Sequence, residues 1–121
     1  DYMTGNWDRF SGGNLFVSAA GDELILIDNN AAFGTWSDRQ MNRMVKLLDQ
    51  TMRFSASLIE KMSKLSEEEI RSVLISNREA ALPCLLTQTQ IELMLHRRDS
   101  LVSHVVQVVE QHGGKKVFFP Q

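Results

Sequence analysis

Apolar positions along the chain change their period once, near residue 37. Before it, two apolar runs, Asn14-Leu-Phe-Val-Ser18 and Glu23-Leu-Ile-Leu-Ile-Asp28, flank a polar Ala20-Gly-Asp22. Short apolar runs bounded by turn residues predict the two strands of a hairpin, and the unbroken second run predicts burial on both of its faces. Asn29 to Thr35 has no period and is rich in small residues, which reads as an ordered loop. From Ser37 the spacing becomes three and four: Ser37 caps a helix over roughly 38–51 carrying Met41, Met44, Val45, Leu47 and Leu48. A second helix covers Ala56 to Leu65, and a third opens at the capping box Ser66-Glu-Glu-Glu69 ahead of Ile70, Val73 and Leu74 and closes by Pro83. The longest runs from Thr87 to Gln111, with Ile91, Met94, Leu95, Leu101, Val102, Val105, Val108 and Val109 on one side and Gly113-Gly114 as its stop. Lys115 to Gln121 is expected to form a peripheral tail, although Lys115 and Lys116 beside Phe118 and Phe119 fit a strand or packed terminus better than a membrane or docking tail. The fold class is therefore α+β and mostly helical, a β-hairpin followed by about four helices.

Composition narrows the possible partners. With 121 residues the chain makes a single domain, 1–121, of which 1–36 carries loops and hairpin, 37–114 the helices and 115–121 the tail. An apolar fraction of 43% and a net charge of −2 argue against a polyanion partner such as nucleic acid. The lone Cys84 forms no intrachain disulfide and no thiolate metal site. No stretch approaches the roughly 20 apolar residues of a membrane span, and the first residues lack the pattern of a signal peptide.

Chemistry gathers at the start of the chain. Asp8-Arg9, then Asn14, a hairpin and Asp28 at the end of its second strand are side chains that one edge of a small sheet can bring together. Phosphoryl transfer asks for such a set: a carboxylate to orient the attacking hydroxyl, and an Asn and a second Asp as oxygen ligands for a divalent metal on the nucleotide phosphates. In this reading Asp8 is the base, while Asn14 and Asp28 hold metal and nucleotide. The protein-kinase pattern H-R-D-x-x-x-x-N places its Asn five positions after the Asp. Here Asp8 and Asn14 are six apart, so Gly12 or Gly13 absorbs one residue. Asp28-Asn29-Asn30 stands where D-F-G would follow a strand. A simpler account takes each residue singly, with Asp8 capping a turn, Asn14 starting a strand and Asp28 ending one. An Asp straight after Leu-Ile-Leu-Ile is expected to be partly buried, with Arg9 or a cation as its partner.

Asp1-Tyr-Met-Thr-Gly-Asn-Trp-Asp8-Arg9, the later Leu-Ile-Asp28-Asn29 and the distal Leu95-x-Arg97-Arg98-x-x-Leu101-Val-x-His104 resemble the C-terminal half of the Four-jointed and Golgi casein kinase family of secretory-pathway kinases. The resemblance covers most of the chain. It implies a kinase-like C-lobe, a C-terminal fragment of an atypical kinase domain, with Asp8 as catalytic base, Asp28 as metal ligand and Asn14 beside it. It also implies ATP with Mn2+ or Mg2+ as cofactors, a secreted or lumenal protein substrate or a glycan, and the Golgi lumen or secretion as location. The chain has one Cys and no Asn-x-Ser/Thr triplet, where the family usually carries disulfides and glycosylation sites. The nucleotide-binding lobe, with its Gly-rich loop and Lys, lies outside these residues, so the chain alone is expected to be inactive. Two alternatives remain: a non-catalytic module, either pseudokinase remnant or helical interaction domain, and a phosphoinositide-kinase-like lobe, against which Phe10 stands where that class has His.

Other features point to packing. His96, His104 and His112 recur every eight residues, each turned about 80° from the last, so they share no metal. Met41, Met44, Met52 and Met62 fall at helical spacing and are expected to fill core. Arg97 and Arg98 are expected on a solvated face or paired with Glu92 or Asp99.

Overall fold

Four hydroxyl side chains decide where the helices begin. The computed structural model describes residues 1–9, 12–75 and 86–119. Among them, α1 (Asp38–Asp49) starts at Ser37, whose Oγ accepts from the Gln40 N–H at 3.4 Å while Gln40 Oε1 accepts from the Ser37 N–H at 2.8 Å. Ser55 accepts from the Leu58 N–H at the head of α2 (Ala56–Lys64). The Ser66–Glu69 box opens α3 (Glu67–Ile75) as its spacing predicts, with bonds of 2.7 and 3.1 Å. Thr87 and Gln90 form the same reciprocal pair ahead of α4 (Gln88–His112). Each box satisfies amides that the first helical turn cannot. Gly113, at φ 80°, ends α4 as expected and leads into a single turn, α5 (Gly114–Val117). The Pro83 stop and Cys84 lie outside the described residues.

The spine is α4, which serves two apolar clusters. Toward its C-terminal half, Leu101, Val105 and Val108 pack with Leu48 of α1, with Phe54, and with Val117 of α5. Toward its N-terminal half, Ile91 and Met94 pack with Ile70 of α3. Chain-opening residues reach both clusters, Tyr2 the first and Met3 with Phe33 the second. Of the methionines expected in the core, Met44 is buried and Met62 half-buried, whereas Met41 and Met52 are exposed.

The hairpin forms in the expected place and departs from expectation in its burial. β1 (Leu15–Val17) and β2 (Leu24–Leu26) pair antiparallel, with Leu15 opposite Leu26, Phe16 opposite Ile25 and Val17 opposite Leu24. Its turn is held by the Ser18 N–H on Glu23 O at 2.9 Å and by Gly21 at φ 76°, where only glycine sits without strain. The second strand, expected to be buried on both faces, is exposed on both: Leu24 is 68% and Ile25 46% accessible. The cause is that every described helix packs on α4, and none lies over the ribbon. An apolar run records what a strand can bury, not whether a cover is at hand.

The tail is also corrected. Val117 is completely buried, and Phe54 pairs with Phe118 in a parallel bridge. The Phe54 N–H donates to Val117 O at 2.8 Å and the Phe119 N–H to Phe54 O at 3.0 Å. Val117 draws the segment inward because Leu48, Phe54 and Val105 leave it an apolar seat.

Two outcomes follow. Ile91→Ala, which empties a fully buried site, should cost about 2–5 kcal/mol in urea unfolding, while Val73→Ala on an exposed face should stay within about 0.5 kcal/mol. The Ser66 amide and hydroxyl hold the Glu69 carboxyl below its ordinary range. A carboxyl depressed on folding gives stability above its unfolded pKa and loses it as pH falls through the folded one. The protection factors of the amides at the start of α3, that is, exchange corrected for its intrinsic pH dependence, should therefore fall below about pH 5. In Glu69→Gln, which keeps the box without a titrating group, the same amides should show no such acid dependence.

Candidate functional site

The segment ahead of the hairpin closes on itself first. The Asn6 N–H donates to Asp1 O at 3.0 Å and the Gly5 N–H to Tyr2 O at 3.1 Å. Asn6 is buried, and its Oδ1 accepts the Asp8 N–H at 3.2 Å, a local turn that an Asn two residues upstream makes readily. The Asn6 Nδ2 is buried without a hydrogen-bond partner.

Arg9 then ties this segment to the ribbon. Its side chain is 3% exposed, and its Nε donates to Asp1 Oδ1 at 3.1 Å. Nη1 donates to Asn14 O at 2.8 Å and to Ile27 O at 2.6 Å, and Nη2 to Asn29 Oδ1. One planar fork thus fixes the chain opening, the first residue before β1 and the residues that flank Asp28. The expected Arg9–Asp28 pair is not what forms. Arg9 reaches the neighbours of Asp28 on either side, and Asp28 itself is exposed with φ 50°. Partial burial fails for the reason that exposes the whole ribbon, since no described element covers it, and the left-handed backbone of Asp28 marks the end of the strand path.

Asn14 is the second link. Its Nδ2 donates to Asp8 O at 3.1 Å and to Asp8 Oδ2 at 3.4 Å, while its carbonyl accepts the Ile27 N–H at 3.2 Å. Asp8 and Asn14 therefore meet directly, and Asn14 is hydrogen-bonded to the residue that precedes Asp28. Asp8 is half-buried. With Nδ2 turned to Asp8, the Asn14 amide keeps its oxygen as an acceptor. Carboxylate and amide oxygens are the donors that hard divalent cations take. Among the described residues, no three His, Cys, Asp or Glu side chains come together as a metal-holding group.

Behind this edge lies a second buried cation that the helical pattern misassigned. Arg98 pairs with Asp99 at 2.6 Å, as expected, and also donates to Leu65 O. Arg97, expected on a solvated face, is 5% exposed. It donates from Nη2 to Gly34 O at 2.7 Å, and its guanidinium stands 4.0 Å over the Trp36 ring. Trp36 in turn donates from Nε1 to Gly5 O at 2.8 Å and meets Tyr2 edge to face at 5.5 Å. Gly5 is required here: a Cβ on it would stand 2.1 Å from Arg97 Nη1, and its φ is +77°. The signal was in the spacing, since Arg97 falls three after Met94 and four before Leu101 on the buried stripe. Charge outweighed position in that expectation.

The loop between ribbon and α1 is pinned to the same framework. The Phe33 N–H donates to Thr4 O at 2.6 Å, and Phe33 holds φ 64° while packing near Ile70 and Met94.

Compared with protein-family models, with curated protein sequences and with solved structures, the chain matches none.

Removing the Arg9 fork leaves Ile27 O and Asn29 without their donor and Asp1 without its partner. Arg9→Met should lower unfolding free energy by about 2–4 kcal/mol in chemical denaturation. Gly5→Ala should cost at least about 1–2 kcal/mol from its backbone alone, and should shift the Trp36 indole N–H resonance as Arg97 is displaced.

Proposed function

We propose that this chain is the acceptor- and metal-holding lobe of an ATP-dependent phosphotransferase, with Asp8 orienting the acceptor hydroxyl and Asp28, with Asn14, holding a divalent cation. The observation that carries the reading is the double engagement of Asn14, by side chain with Asp8 and by backbone with the residue before Asp28. Arg9 supports it by fixing both flanks of Asp28 to the loop that bears Asp8. An Asp8 carboxylate can accept the proton of a Ser, Thr or sugar hydroxyl and direct its oxygen, and positioning of this kind is most of what phosphoryl transfer asks of a protein. Bound manganese or magnesium would supply charge neutralisation at the nucleotide phosphates. The donor set fits that role in type: carboxylate oxygens and one amide oxygen on a part-exposed edge.

A nucleotide-gripping lobe seated over the exposed ribbon completes this proposal, since Phe16, Leu24 and Ile25 offer it apolar surface. A secreted or lumenal acceptor and a Golgi setting belong to the same reading, as do the kinase-like C-lobe fold and the Four-jointed likeness. No described helix is long and apolar enough to cross a membrane. A non-catalytic interaction module is the second reading, favoured by the exposure of Asp28 and by the ribbon's uncovered faces.

Mn2+ binding to the protein, followed by water-proton relaxation, separates the two. Asp28→Asn and Asn14→Ala should each weaken it about tenfold or more, whereas Asp22→Asn at the hairpin turn should leave it unchanged. Equal Mn2+ affinity in all four proteins would remove the phosphotransfer reading and leave the interaction module.

A further inference from the structure

Charges buried in folded chains are paired, because stripping a guanidinium of water without a counter-charge is costly. Arg9 obeys this through Asp1. Arg97 does not: among the described residues it makes no ion pair, and its Nη1 has no hydrogen-bond partner at all. The Trp36 face and a single carbonyl, Gly34 O, compensate it in part.

Arg97 also forms part of the wall of a cavity of about 250 Å³ between α1 and α4. Tyr2 and Trp36 contribute aromatic surface, Met41 and Val45 of α1 aliphatic surface, Ser100 a hydroxyl and His96 an imidazole. Met41 and Val45 are 48% and 39% accessible, so apolar area stands uncovered at the same place. Burial raises the Tyr2 hydroxyl above its usual value, with Arg97 opposing and Asp49 adding to the rise. It therefore stays protonated near neutral pH and can donate.

We propose that this cavity binds an apolar monocarboxylate, with the carboxylate on the Arg97 guanidinium and the apolar body against Trp36, Met41 and Val45. One uncompensated cation calls for one negative charge. A phosphate dianion would bring a second charge to a wall whose other polar groups are the Tyr2 and Ser100 hydroxyls and the His96 imidazole, with no second guanidinium or ammonium to balance it. The carboxylate can come from a small free acid or from the C-terminus of a peptide, and both present the same group to Arg97. The site is independent of the phosphotransfer reading, since it uses neither Asp8, Asn14 nor Asp28.

The test is a titration of the protein with benzoate, N-acetylphenylalanine, benzamide and inorganic phosphate, followed by 1H–15N resonances. Benzoate or N-acetylphenylalanine should shift the Trp36 indole N–H and the Ser100 amide with Kd of about 1 mM, and benzamide and phosphate should do so at least about tenfold more weakly. Benzoate alone binding assigns a free acid, and N-acetylphenylalanine the tighter assigns a peptide terminus. Arg97→Gln should abolish the shifts. Should that variant fail to fold, Val45→Asp on the accessible wall should weaken benzoate about tenfold by like-charge repulsion while leaving the fold intact. Binding of benzamide or phosphate as tight as benzoate, no response from either acid, or a Val45→Asp protein that binds benzoate undiminished would overturn the proposal.

Discussion

The guanidinium of Arg9 is the joint on which the front of this molecule depends. It sits almost wholly out of water and makes four hydrogen bonds to groups drawn from the chain opening and both sides of the ribbon. Two of these acceptors, Asn14 O and Ile27 O, belong to residues already paired with each other by the ribbon's backbone. The fork therefore extends the β ladder by one side chain and carries it to Asp1. A Lys at this position would offer one compact charge rather than a planar array, and could not reach three segments at once. No described helix packs on the ribbon, so its orientation relative to the opening loop rests on this one side chain more than on apolar burial.

Two arginines with equal burial have different settings. Arg9 has a carboxylate partner and backbone carbonyls, whereas Arg97 has an indole face, one carbonyl and a glycine beneath it. Both touch the same short opening loop, which passes from Asp1 through Gly5 to Arg9: Arg9 bonds Asp1 and Arg97 packs against Gly5. Tyr2 and Met3 from that loop join the two clusters along α4. The site edge is thus fastened to the helical core by its own backbone, without an intervening layer.

The helices were legible because their signals are local: cap residues, three-and-four spacing and a terminal glycine each act within one turn. The hairpin's existence was legible for the same reason. What could not be read was which surface another element covers. The ribbon's apolar run predicted burial that no described helix supplies, and the tail's position at the chain end predicted a periphery, whereas its Phe118 and Phe119 pointed to the packed terminus that forms. At the site, the closeness of Asp8 to Asn14 was visible in their spacing, but the choice of Asn29 and Ile27 over Asp28 by Arg9 was not, because it turns on one left-handed residue. Arg97 shows the converse case, where periodicity was right and residue type misled.

The Phe54–Phe118 bridge closes a loop that contains α2, α3, α4 and α5, joining the chain's middle to the residue just after its last described turn. Such a long-range closure carries a large entropic cost and is favoured only once α4 has formed and presented Val105 and Val108. If the clasp closes after the folding barrier, strengthening it slows the opening of the native state and leaves the speed of folding nearly untouched. On that order of events, the segment around Val117 and Phe118 sets how long the molecule stays folded, and the helices upstream set how quickly it gets there.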